Sequence, residues 1–159
     1  MPKGIRLTAV TIESLDQLKD LVGKEVAVSD WIIVSQERIN QFAEATGDHQ
    51  WIHLDAERAS RESPYKKTIA HGFLTLSLLS QLAQQSIKFA KVRMGINYGF
   101  NRVRFTGPVP VDSKLRAHFT LKTIEEIPGG AQTTWAVTME CEGAAKPCCV
   151  AEWMTRRYE

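Results

Sequence analysis

A chain of 159 residues is long enough to bury about two thirds of its unfolded surface, and one domain spanning residues 1–159 is expected. With 20 Lys and Arg against 18 Asp and Glu and no long basic run, nothing in the charge calls for a nucleic-acid partner. The first residues, MPKGIRLTAVTIES, lack the continuous apolar core of a secretory signal, which points to the cytoplasm. The 3 cysteines, Cys141, Cys148 and Cys149, form an odd set near the C-terminus and read as small core or strand residues in a reducing compartment.

In chain order, Ser14 can cap a short helix ending at Leu21, with Asp16 and Gln17 in its first turn and Gly23 stopping it. Glu25 to Val34 reads as one strand, closing on the β-favouring run Trp31-Ile32-Ile33-Val34. Ser35 opens a helix in which Ile39, Phe42 and Ala43 share a face, and Gly47 ends it, leaving Asp48 in the following loop. Asp55 can cap a further short helix from Ala56 to Arg61, terminated by Pro64.

From Gly72 to Ile87 the chain carries no charge and is rich in leucine. Phe73, Leu74, Leu76, Leu78, Leu79, Leu82 and Ala83 place apolar groups on most sides of a helix, the pattern of a buried one, fading near Lys91. It is too short and too polar to span a bilayer, so no membrane partner is expected.

Beyond it, Val92 to Phe105 alternates and holds Gly95 and Gly99, which suggest a bulge or a close approach. Ser113 to Ile127 alternates Leu115, Ala117, Phe119 and Leu121 against polar residues, a half-buried strand. Pro128-Gly129-Gly130 turns the chain into a strand to Glu142 with Trp135, Val137, Met139 and Cys141 on one face, and Cys148 to Tyr158 is the last strand.

One strand, several helices and then four strands, mostly a meander, define an α+β class. A curved antiparallel sheet wrapped around the long apolar helix, the hot-dog arrangement, buries it economically. The sheet covers one side of the helix, and pairing of two copies is expected to cover the rest.

The string Phe42-Ala43-x-x-Thr46-Gly47-Asp48-x-x-x-x-His53-x-Asp55, with Ile69-Ala70-His71-Gly72-Phe73 downstream, resembles the MaoC-like hydratases, hot-dog enzymes of acyl thioesters. The run Asp48 to His53 and Ile96-Asn97-Tyr98-Gly99-x-Asn101-x-Val103-Arg104-Phe105 are similar to the nodulation-protein-N-like branch. Gln50-Trp51 stands where many relatives have Asn-Pro, a departure at the turn.

The resemblance implies an (R)-specific 2-enoyl-CoA hydratase acting as a homodimer, with Asp48, His53 and Gly72 catalytic. It implies no cofactor and no metal, coenzyme A arriving as part of the substrate. Gln50, Trp51, Asn97 and Tyr98 are candidates to line the substrate, and Lys66, Lys67, Lys91, Arg93, Arg102 and Arg104 are available to meet its phosphates.

The chemistry suits these residue types. A carboxylate and an imidazole can hold and polarise one water for attack on carbon 3 of an enoyl thioester. Burial beside the leucine-rich helix would raise the basicity of Asp48. A helix-starting Gly72 offers an N–H with no intrahelical acceptor to the thioester oxygen.

Simpler readings stand beside these: Asp48 as a turn residue, His53 as a loop histidine satisfied by backbone, Gly72 as close packing. His49 and His53 have the spacing of a helical metal pair, but Gly47 and Asp48 break the helix and no third ligand is evident. His71 reads as a helix-start or packing residue. Two rival activities remain, a hot-dog acyl-CoA thioesterase and a non-catalytic acyl-CoA-binding protein. The thioesterase reading is weakened by the absence of an acidic residue between Gly72 and Ile87.

Overall fold

The computed structural model describes residues 9–159. After β1 (Val10–Ile12) comes a short 3-10 helix, Leu15–Leu21, held at its start by the Gln17 side chain, which accepts from the Glu13 N–H at 2.9 Å, and not by Ser14. The expected strand from Glu25 to Val34 is divided into β2 (Glu25–Val28) and β3 (Ile32–Ile33). Ser29 causes the break: its buried hydroxyl accepts the Ala117 N–H at 2.9 Å, taking a hydrogen bond the ladder would otherwise use.

Helix α1 (Gln36–Thr46) begins where Ser35 Oγ accepts from the Arg38 N–H and ends on Gly47 at φ 80°, a left-handed position that glycine takes at no steric cost. Helices α2 (Trp51–Leu54) and α3 (Ala56–Glu62) follow, α3 capped by Asp55 as expected. The long apolar helix is two pieces, α4 (Gly72–Ser77) and α5 (Leu79–Ser86), meeting at Leu78. Ser77 Oγ donates to the Phe73 carbonyl at 2.7 Å, the back-bonding that bends helices, directly before the join.

The helix ends at Ser86, earlier than expected. Ile87–Phe89 is instead β4, paired in parallel with β1. Burial there alternates (Ile87 buried, Lys88 exposed), so a strand satisfies both the backbone and the side chains.

The main sheet takes β5 (Met94–Phe105), β6 (Lys114–Ile127), β7 (Gly130–Cys141) and β8 (Cys149–Tyr158), with the order β2-β6-β7-β8-β5 and β3 also on β6, every pair antiparallel. The meander therefore covers β6 to β8 only. β5 lies at one edge, beyond β8 and away from β6, and its ladder with β8 slips twice, at Asn97/Gly99 and Phe100/Arg102, near the glycines that suggested a bulge.

The connection from β5 to β6 passes across the end of the sheet and fastens the segment before α4. Ala70 N–H donates to the Val109 carbonyl at 2.8 Å and Val111 N–H to the Thr68 carbonyl at 2.9 Å.

The inner sheet face, Leu115, Ala117, Phe119 and Leu121 on β6 with Trp135, Val137 and Met139 on β7, packs with Leu74, Leu78, Leu79, Leu82 and Ala83 of the helix. The expected hot-dog arrangement is the one adopted. The helix is not apolar-and-buried on every side, however: Phe73 is 69% exposed.

Candidate active site

Three local devices bring the site residues together. Gly47 turns the chain out of α1, so Asp48 lies past a helix end as the sequence indicates. His53 lies in the short helix α2 and not in a loop. Gln36, in the first turn of α1, donates to the His53 carbonyl at 2.8 Å and accepts from the Thr68 hydroxyl at 2.6 Å, tying α2 to the segment that leads into α4.

His53 is 6% exposed, and its Nδ1–H donates to the Ile69 carbonyl at 2.7 Å. That bond leaves Nε2 as a bare acceptor. Burial is the main influence on this imidazole and lowers its pKa, so it is neutral at neutral pH.

His71, also buried, stacks on His53 with ring centroids 3.8 Å apart and planes 26° apart, and its Nε2–H donates to the Asp48 main-chain carbonyl at 3.0 Å. The His71 ring also meets Phe42, with centroids 4.9 Å apart and planes tilted by 53°. His71 thus fixes both candidate residues at once, holding the backbone of Asp48 and the ring of His53. The sequence reading as a packing residue captured the stacking and missed the hydrogen bond. Its place in the Ala70-His71-Gly72 run was the only signal.

The ligating atoms of Asp48, His53 and His71 lie within 4.8 Å of one another, and His71 Nδ1 is buried with no partner among the described residues. The trio differs from the His49 and His53 pair weighed from spacing, since His49 lies outside it and meets Glu44 instead. The two imidazoles are stacked with their planes 26° apart, an arrangement less suited to a shared ion than rings that meet edge-on. The spacing of Asp48 and His53 instead suits a single water held by both.

Asp48 itself is exposed; its Oδ1 accepts from the Gln50 N–H at 3.3 Å. The desolvation anticipated at the carboxylate falls on His53, because the loop projects outward while α2 packs inward. Gly72 begins α4, and a Cβ built there would come within 2.8 Å of Phe105 Cδ2. The glycine also lines a pocket of about 420 Å³ with Tyr65, Thr75, Phe105 and Ile69, the residue whose carbonyl holds His53.

Residues 17–141 match the family described as MaoC like domain. The chain belongs to this family. The MaoC-like chain is 50% identical over 147 residues to 3-hydroxyacyl-thioester dehydratase Z of Mycobacterium tuberculosis (strain CDC 1551 / Oshkosh), covering 92% of this chain and 97% of that one. It is 46% identical over 143 residues to Nodulation protein N of Rhizobium meliloti (strain 1021), covering 89% of each. Among solved structures, R-Hydratase PhaJ1 from Pseudomonas aeruginosa superposes with a TM-score of 0.70 at 25% identity, over 87% of this chain and 82% of that one.

Within this MaoC-like fold the other expected substrate residues are divided. Gln50 touches Asp48 through its backbone, and the half-buried Trp51 ring lies under the Arg58 guanidinium at 4.3 Å. Asn97 and Tyr98 are not brought to this place within one chain. Asn97 donates to Ser80 at 3.3 Å, about 12 Å along the helix from Gly72, and Tyr98 lies under Arg156 at 3.7 Å. Among the described residues no helix is long and apolar enough to cross a membrane.

Proposed function

We propose that this chain is an (R)-specific 2-enoyl-CoA hydratase, adding water reversibly to a trans-2-enoyl thioester to give the (R)-3-hydroxyacyl thioester. The observation that carries this reading is the Asp48 carboxylate standing within 4.8 Å of a buried, neutral His53 whose free nitrogen is an acceptor. The names of the relatives support it, one being a thioester dehydratase and another an R-hydratase.

In this mechanism one water is held by His53 Nε2 and the Asp48 carboxylate. Asp48 takes a proton as the water oxygen bonds to carbon 3, and electron density moves through the enoyl system onto the thioester oxygen. Gly72 N–H, at the start of a helix whose dipole is positive there, receives that oxygen. Collapse of the enolate then takes a proton at carbon 2, returned by the same acid, and the net change is addition of one water. The step is redox-neutral and draws on no cofactor; coenzyme A enters as part of the substrate.

Two copies of the chain are proposed to pair along β5. Among the described residues this strand has an unpaired edge, and it exposes Met94, Ile96, Tyr98, Phe100 and Phe105 beside Phe73. An apolar sheet edge of this kind is an aggregation hazard unless covered. The cytoplasmic placement is supported by the cysteines, all free and buried.

The deciding experiment is hydration of a series from crotonyl-CoA to dodecenoyl-CoA, followed by loss of the enoyl absorbance, with chiral analysis of the product. Turnover to the (R)-alcohol is expected. Binding of acyl-CoA without turnover, or release of free coenzyme A, would replace the proposal with one of its rivals.

A further inference from the structure

A second cavity, of about 270 Å³, runs between α5 and the sheet, away from Asp48 and His53. Its helix wall is Ser80, Ala83 and Gln84, along about 6 Å of α5, continued by Ile87 at the start of β4, and its floor includes Phe119, Trp135 and Trp153. At the end farther from Gly72, its wall is Arg157.

Arg157 belongs to the inward face of β8, in step with Trp153 and Thr155. Its guanidinium sits over the Phe89 ring at 4.0 Å, and opposite it Gly95 leaves room that a Cβ would narrow to 3.0 Å from Nη1. Among the described residues it makes no hydrogen bond or ion pair, and its Nε is buried without an acceptor. The first eight residues, MPKGIRLT, contain no Asp or Glu that could neutralise it. Burial lowers the guanidinium to about 10, which leaves it charged at neutral pH.

A guanidinium largely withdrawn from water, with no counter-ion among the described residues, is costly to fold around. The chain nevertheless places one, with its Nε buried, at the end of a slot that has an aromatic floor and also carries Ser80, Gln84, Asn97 and Thr155 in its walls.

We propose that this cavity receives the far end of an acyl chain that terminates in a carboxylate, and that Arg157 holds that carboxylate. The assignment rests on the hydratase reading for the thioester end of the ligand. It extends that reading to a substrate class, enoyl thioesters of dicarboxylic acids. A guanidinium presents paired donors matched to a carboxylate, and the Trp and Phe floor suits the methylene chain between the two ends.

The test uses the purified full chain and its Arg157→Leu and Arg157→Lys variants. Pairs of trans-2-enoyl-CoA esters of equal length, ending in methyl or in carboxylate, are compared by kcat/KM. The carboxylate-ended ester is expected to be favoured at one chain length, and Arg157→Leu to shift that ratio towards methyl by about ten- to a hundredfold, the usual worth of a charged hydrogen bond. Arg157→Lys is expected to keep part of the preference. Arg157→Leu removes a partly buried charge with no partner among the described residues, so it is expected to fold, as thermal melting will verify.

Equal ratios in wild type and Arg157→Leu would overturn the proposal. So would a structure of the oligomer in which a carboxylate of the second copy reaches Arg157. If no ester is hydrated, the hydratase reading fails separately; calorimetry with saturated carboxylate-ended and methyl-ended acyl-CoA then decides on the cavity by the same comparison. Stabilisation of wild type but not Arg157→Leu by free dicarboxylic acids, with no discrimination among the esters, would overturn the acyl-chain assignment in favour of a free diacid.

Discussion

Replacing Gly72 by alanine separates the two reasons a glycine could stand at the start of α4. The added Cβ would lie 2.8 Å from Phe105 Cδ2 and 3.0 Å from its Cγ and Cε2, against about 3.5–4.0 Å for carbon atoms at rest. Phe105 ends β5 and is 44% exposed, so its ring can turn away. Overpacking of about 1–3 kcal/mol is therefore an upper range here. The gain of about 0.5–1 kcal/mol for alanine over glycine in a helix offsets part of it. The net loss of stability should be no more than about 2.5 kcal/mol, a fall in melting temperature of up to about 10 °C for a chain of this size.

Activity should suffer far more. The methyl group occupies the approach of the thioester oxygen to the Gly72 N–H, and losing one such donor costs about a hundred- to a thousandfold in kcat. The assay is enoyl-CoA hydration beside a thermal melt, for Gly72→Ala alone and with Phe105→Ala. The double variant relieves the clash and leaves the methyl in the path of the oxygen, so activity should stay low. Recovery of activity in the double variant, or near-normal activity in Gly72→Ala, would refute the donor role and leave only close packing.

Asp48→Asn should lower turnover by about a hundredfold or more with an unchanged melting temperature, since the exposed carboxylate accepts one long hydrogen bond and general acid–base catalysis supplies about that factor. Because burial depresses the His53 pKa, the imidazole stays neutral below the usual value of about 6.5, and activity should hold through that pH and fall only beneath it. The same depression makes the unfolded chain bind the proton first. His53 therefore destabilises the fold progressively as pH drops below about 6.5, and melts of His53→Gln should show a shallower acid decline. If the proposed pairing along β5 holds, the parent chain should scatter light as a dimer and Ile96→Glu, on the exposed edge strand, as a monomer; a dimer unchanged by the substitution would put the interface elsewhere.

Much of the frame was legible because its signals are local. The Ser35 cap, the Gly47 stop and the alternation through Leu115–Leu121 each act within one element, and each appears where the pattern put it. The failures share a long-range cause. Ile87–Phe89 extends because β1, far away in the chain, offers it a partner, and β2 parts from β3 because the Ser29 hydroxyl meets β6. The candidate site divides the same way. Asp48 and His53 could be picked out from residue type and resemblance. His71 and Arg157 could not, since one matters through the ring and carbonyl packed against it and the other through the absence of a counter-charge among the described residues.

The Ile69 carbonyl that fixes the His53 tautomer is itself held from outside the site. The residues on either side of it, Thr68 and Ala70, are pinned by Val111 and Val109 of the crossover between β5 and β6. A change at Pro108 or Pro110 would thus reach the imidazole without touching it, retuning which nitrogen faces the water while the core stays intact. Such a variant would melt like the parent and differ from it only in its kinetics.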